Sequence, residues 1–137
     1  IQQFDTPYNI YYAPANFFVA SFIGTPRINV ITFEAYLKLS TKRHIEESNS
    51  VIICVRPENI KISKNEHGVG RISSIEMLGK EIVFNVMFNT ENIVVCSRFE
   101  DNYNSYKIGD YVDLVCPCNN FLFFDKETEQ RVFVNSD

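Results

Sequence analysis

Tryptophan is absent from these 137 residues, and methionine and histidine occur only twice each. Basic residues are also scarce: thirteen Lys and Arg face seventeen Asp and Glu, for a formal charge of −4. That is the wrong sign for a surface that attracts phosphate backbones, so general nucleic-acid binding is disfavoured. The longest strongly apolar run, Phe17 to Ile23, falls far short of the roughly 20 residues needed to cross a bilayer. No basic, apolar, small-residue signal segment opens the chain either, so a soluble, cytosolic protein is expected. The five glycines, at 24, 68, 70, 79 and 109, are too scattered for a phosphate-cradling loop, which argues against nucleotide hydrolysis by this stretch alone.

The candidate chemical groups are equally sparse. Cys116-Pro117-Cys118 lacks the spacer of a structural zinc knuckle, and Cys54 and Cys96 supply no second one, so reduced thiols buried on strands are expected and no metal. His44 and His67 sit in polar, loop-like stretches without a Cys or acidic companion at ligand or triad spacing. No catalytic residue and no cofactor-binding residue is assigned.

What the sequence does hold is aromatic and β-branched bulk, with twelve Phe and seven Tyr. That composition suits pleated, half-buried surfaces better than helices, and mainly β structure is expected. Thr6-Pro7 opens a short helix to about Tyr12, and Ala15 to Phe22 a second one, with Gly24 at its cap. Only Asp5 and Arg27 are charged in the first thirty residues, whereas Glu34, Lys38, Lys42, Arg43, His44, Glu46 and Glu47 follow closely, so a boundary is placed between residues 26 and 27. The unit 1–26 reads as a helical remnant and connector cut from a longer protein, and 27–137 as the main domain.

From there the pattern is extended. Val30–Phe33 and Tyr36–Leu39 read as one or two strands, Thr41–Ser50 as a loop, and Val51–Val55 as a buried strand stopped by Pro57. Lys61–Gly70 reads as a polar connection. Strands follow at about 70–77, 81–88, 93–99, 111–116, 121–124 and 131–134, separated by Leu78-Gly79-Lys80, Asn89-Thr90-Glu91-Asn92 and Ile108-Gly109-Asp110. This spacing predicts a small, closed or partly open β-barrel of the oligonucleotide/oligosaccharide-binding (OB) type. The strand aromatics Phe84, Phe88, Phe99, Phe121, Phe123 and Phe124 could stack bases or sugars. Without a basic funnel beside them, they are read as core.

Several phrases, taken in order, resemble the C-terminal end of ATP-binding-cassette ATPases that drive carbohydrate importers of the maltose and glycerol-3-phosphate type. Ile1-Gln2-Gln3, Thr6-Pro7, Ile10-Tyr11, Pro14-Ala15-Asn16 and Phe18-Val19-Ala20 through Phe22-Ile23-Gly24 are similar to the end of that family's nucleotide-binding domain. Thr25-Pro26 with Asn29 resembles its exit into the regulatory domain. Arg56-Pro57-Glu58-Asn59 resembles an Arg-Pro-Glu-His phrase with Asn in place of His. Glu76-Met77-Leu78-Gly79 resembles a Glu-x-Leu-Gly turn, and Leu122-Phe123-Phe124-Asp125 a terminal Leu-Phe-Asp stretch with one Phe added. Residues 33–49 match little.

The resemblance implies a transport-associated OB-like (TOBE-like) regulatory domain that is itself non-catalytic. ATP and Mg would bind upstream, and none of the ATP-site residues falls in this chain. Implied partners are the chain's own ATPase domain, a second copy in a homodimer, the transporter's membrane subunits and a regulatory protein, at the inner face of the cell membrane. Interface or hinge candidates are Phe17, Phe18, Phe22 and Ile23 toward the ATPase domain, Gly24, Pro26 and Asn29 at the connector, and Arg56, Pro57 and Glu58 as an ion-pairing turn. Leu78 and Gly79 at a hairpin tip, with Phe124 and Asp125, complete the set. The alternatives are an oxyanion-sensing domain, the ATPase end of a polyamine importer, and a free-standing single-strand binder. The nearest approach to an oxyanion motif, Arg71-Ile72-Ser73-Ser74, does not match the one that the sensing subtype resembles.

Overall fold

The computed structural model describes residues 17, 26–98, 105–117 and 120–133. The helices expected over 7–12 and 15–22 lie outside the described residues, apart from Phe17.

The described elements run β1 (Asn29–Ile31), α1 (Phe33–Leu39), β2 (Val51–Val55), a 3-10 turn (Pro57–Asn59), β3 (Lys61–Lys64), β4 (Gly70–Leu78), β5 (Glu81–Phe88), β6 (Glu91–Arg98), β7 (Tyr111–Val115), β8 (Phe121–Asp125) and β9 (Arg131–Val132). They form two antiparallel sheets, ordered β1-β2-β8-β9 and β3-β7-β4-β5-β6. This is the expected mainly β, small OB-like architecture.

The inner faces meet in one core. Ile31, Ile53, Val55, Phe121 and Phe123 of the four-stranded sheet pack with Ile72, Phe84, Val86, Phe88, Ile93, Val95, Val112 and Leu114 of the five-stranded sheet. Strand β4 bends between Ile72 and Ser74, where the register with β5 slips by one residue. Such a bulge increases local twist and lets a long strand serve a curved sheet. The two-residue turns β4–β5 and β5–β6 put Gly79 at φ 61° and Asn89 at φ 59°. Glycine and asparagine are the residues that accept this left-handed conformation at least cost.

One expectation is corrected. Tyr36–Leu39 belongs to α1, not to a strand. Thr32 caps the helix by accepting from the Ala35 amide, Glu34 lies in the first turn and Lys38 in the last, all favourable to the helix dipole. Ala35, Tyr36 and Leu39 are buried, which is helical spacing. Tyr36 is fully buried in the main core: its ring meets Phe121 at 4.8 Å and Phe123 at 5.8 Å edge-on, and its hydroxyl accepts from the His44 amide at 2.7 Å.

A second correction concerns Lys61–Lys64, read as connection but folded as β3 against β7. Its side chains are mostly exposed, so it shows no hydrophobic signature. A backbone close approach helps hold this edge: a Cβ on Gly68 would lie 2.3 Å from the Val112 carbonyl oxygen.

Candidate functional site

The residues singled out by sequence fall in three places. The first is the outer face of the four-stranded sheet. Ile28, Cys54, Leu122 and Phe124 form a second buried cluster there, against which Phe17 and Ile52 pack. Phe17 meets Phe124 edge-on at 5.8 Å, and its amide donates to the Glu129 carbonyl at 2.9 Å. Phe17 thus rests on the outer face of this sheet. Phe18, Phe22, Ile23 and Gly24 lie outside the described residues, and Pro26 is half-buried. Asp125 closes the β8–β9 turn, its Oδ1 accepting from the Glu127 and Thr128 amides, both at 2.9 Å. Those amides, Thr128 first and Glu127 next, hold its carboxyl below the ordinary range.

The second place joins the sheets. Asn29, 7% exposed, donates through Nδ2 to the Val94 carbonyl and accepts from the Val94 amide through Oδ1, both at 2.8 Å. One side-chain amide thus satisfies both free main-chain groups of a residue on the β6 edge, as a neighbouring strand would. Thr32 adds a side-chain hydrogen bond to Glu91 at the start of β6.

The third is a cleft of about 460 Å³ where β3 and β6 diverge, lined by Glu58, Lys61, Ile62, Glu81, Cys96, Ser97 and Arg98. Pro57 at the first position of the 3-10 turn has its φ preset and lacks only an amide that would be unpaired there, which brings Glu58 to the rim. Pro57 and Arg56 are buried, whereas Glu58 is exposed. Exposed though it is, Glu58 has its carboxyl desolvated against the cleft wall, which pushes it above its usual range; its own backbone amide opposes the shift and the Glu81 charge adds to it. No ion pair among the described residues includes Glu58.

Cys96 donates to Glu81 Oε2 at 2.9 Å. Burial, then that hydrogen bond and the charges of Glu81 and Glu58, push its thiol up to about 12. Burial likewise pushes the Cys54 thiol up to about 12, against the pull of Arg56. Thiols held this high carry almost no thiolate at neutral pH and are poor nucleophiles. Cys54, Cys96 and Cys116 are buried and unbridged, while Cys118 lies outside the described residues.

Leu78 and Gly79 occupy an exposed hairpin tip, with Leu78 paired to Glu81 and Met77 and Leu78 53% and 44% exposed. Phe84, Phe88, Phe121, Phe123 and Phe124 are all buried, which removes them as a stacking platform, and Phe99 lies outside the described residues. Sequence reasoning missed Lys61, Glu81, Cys96 and Arg98. They reach the cleft from three strands, and only pairing register brings them to Glu58.

Comparison with known proteins follows the same lines. The TOBE domain family matches residues 53–124, from the middle of β2 through most of β8. A Mycoplasma genitalium protein, provisionally named an ABC transporter ATP-binding protein, is 33% identical over 144 residues, covering 96% of this chain and 24% of that protein. The uncharacterized ABC transporter ATP-binding protein YurJ of Bacillus subtilis is 31% identical, over 97% of this chain and 42% of its own length. The sn-glycerol-3-phosphate import ATP-binding protein UgpC of Escherichia coli is 30% identical, over 96% of this chain and 40% of its own length. The chain thus spans between a quarter and about two fifths of these relatives. By its fold, its Arg56-Pro57-Glu58 turn and these matches, the chain belongs to the TOBE domain family, in the form found in ABC transporter ATP-binding proteins.

Proposed function

We propose that this domain is the non-catalytic regulatory and dimerisation end of the ATP-binding subunit of an ABC importer for sugars or glycerol 3-phosphate. In this role it holds two subunits together while their ATPase halves open and close. The observation that carries the reading is the similarity over nearly the whole chain to relatives named as ATP-binding proteins, one of them for sn-glycerol-3-phosphate import. Physical sense supports it: a barrel with two cores, its sheets tied by Asn29, is stiff enough to keep a fixed contact while a neighbour moves. Residues 1–26 would belong to the ATPase domain, with the Pro26 region as connector. ATP and Mg would bind in that domain, and the subunit would lie on the cytoplasmic face of the membrane against the transporter's membrane subunits. Among the described residues no helix is long and apolar enough to cross a membrane.

Sedimentation of the full-length subunit, with and without residues 27–137, tests the proposal. The truncated subunit is expected to bind ATP yet sediment as a monomer without nucleotide, where the intact one is a dimer. A nucleotide-free dimer that survives the truncation contradicts the reading.

A further inference from the structure

We propose that two copies of this chain meet through the outer face of the five-stranded sheet, about a two-fold axis that crosses β4 near Ser74. The proposal rests on the dimerisation role given above and names the surface that serves it.

The β4 bulge sets this face. In a regular strand Arg71 and Glu76, five residues apart, point to opposite sides. The slip between Ile72 and Ser74 undoes that: Arg71 pairs with Met87, Ser74 with Asn85, Glu76 with Val83 and Leu78 with Glu81, and these β5 residues follow one another at every second position. Arg71, Ser74, Glu76 and Leu78 therefore share one side, with Tyr111 of β7 directly across from Arg71. It is the side away from the core, because Ile72, Phe84, Val86 and Val112 pack inward.

The two ends of this face complement each other. At one end, Tyr111 and Met87 are exposed on either side of Arg71, whose guanidinium lies 5.6 Å from the Tyr111 ring centre. At the other, Glu76 and Leu78 are exposed, with Met77 beside them at the hairpin tip. Between the ends lie the small polar side chains of Ser74 and Asn85, hydrogen-bonded to each other at 2.9 Å. No ion pair among the described residues includes Arg71 or Glu76. Asp113, the acid next along this face from Tyr111, is instead held by Asn65 Nδ2 at 2.7 Å.

A face of this kind fits a second copy of itself. A half turn about an axis lying across β4 turns face onto face and reverses the strand. Arg71 of one copy then lies over Glu76 of the other, and Tyr111 and Met87 meet Leu78 and Met77. The contact is isologous, so every pair is made twice. It covers the exposed apolar side chains at both ends and gives both unpaired charges a partner of opposite sign.

The test follows the nucleotide-free full-length subunit by sedimentation, with Arg71→Glu, Glu76→Arg and the two together. Both positions are exposed, and thermal unfolding checks that each variant is folded. Each single change turns two attractive pairs into two repulsive ones and should weaken the dimer about tenfold or more. The double variant restores both pairs with their signs exchanged and should recover most of that loss. Single variants that dimerise as well as the original overturn the proposed surface, as does a double variant no better than the singles. A subunit without residues 27–137 is run alongside. If it still dimerises, the functional reading fails and the surface with it, whereas a monomeric truncation beside unaffected single variants overturns the surface alone.

Discussion

The four-stranded and five-stranded sheets are built from the same kinds of residues but read differently. Val51-Ile52-Ile53-Cys54-Val55 and Phe121-Leu122-Phe123-Phe124 are unbroken apolar runs, because β2 and β8 have apolar neighbours on both faces. In β7 and the first half of β4, exposed and buried residues alternate, Tyr111-Val112-Asp113-Leu114-Val115 being the clearest case. The alternation marks a sheet with one wet face, and the unbroken run marks a sheet covered twice. The hydrophobic pattern of a strand therefore reports how many layers lie over it.

That difference can be broken most severely at Phe124. It is fully buried in the second cluster, so Phe124→Ala should cost about 3 to 5 kcal/mol in urea unfolding. Met87→Ala, on the wet face of β5 at 39% exposure, should stay within about 0.5 kcal/mol. A Phe124 loss under about 1 kcal/mol would mean the outer face of the four-stranded sheet is open in solution. The joint between the sheets comes next. Asn29→Ala leaves the Val94 amide and carbonyl without partners and should cost about 2 kcal/mol, whereas Asn29→Asp, which keeps only the acceptor, should still lose much of it.

The smallest effect separates the two regions by the sign of a pH dependence. Asp125, at the β8–β9 turn, has a folded pKa below its unfolded one. Its stabilisation is present above the unfolded carboxyl value near about 3.9 and is lost as pH falls through the folded one. Glu58, at the cleft, is raised, so its ionisation opposes folding, and stability recovers as pH falls through its folded value toward the unfolded one near about 4.3. Urea midpoints between pH 7 and 3 should show Asp125→Asn flattening the acid loss and Glu58→Gln removing the recovery. The same slope in both variants would deny the contrast.

The sequence made the strongest strands plain where packing is local to the strand, as in Val51–Val55 and Glu81–Phe88. It misled at Tyr36–Leu39, where aromatic and branched residues suggest β structure while the Thr32 cap and the spacing of Ala35, Tyr36 and Leu39 decide for helix. It was silent at Lys61–Lys64, because an edge strand held by backbone pairing has little apolar signature. Glu58 and its proline were visible as a phrase. The cleft was not, since Glu81 and Arg98 become neighbours only through the β5–β6 register. Asn29 was visible as part of a motif, but its grip on Val94, 65 residues away, was not.

The most direct test of the central claim is to read the coding sequence that precedes Ile1 in its gene. The account predicts a phosphate-binding Gly-rich loop followed by Lys and Ser or Thr, a Leu-Ser-Gly-Gly-type signature, and a His shortly before Ile1, together forming an ABC ATPase domain. A start codon directly before Ile1, or an unrelated domain in that place, would contradict it.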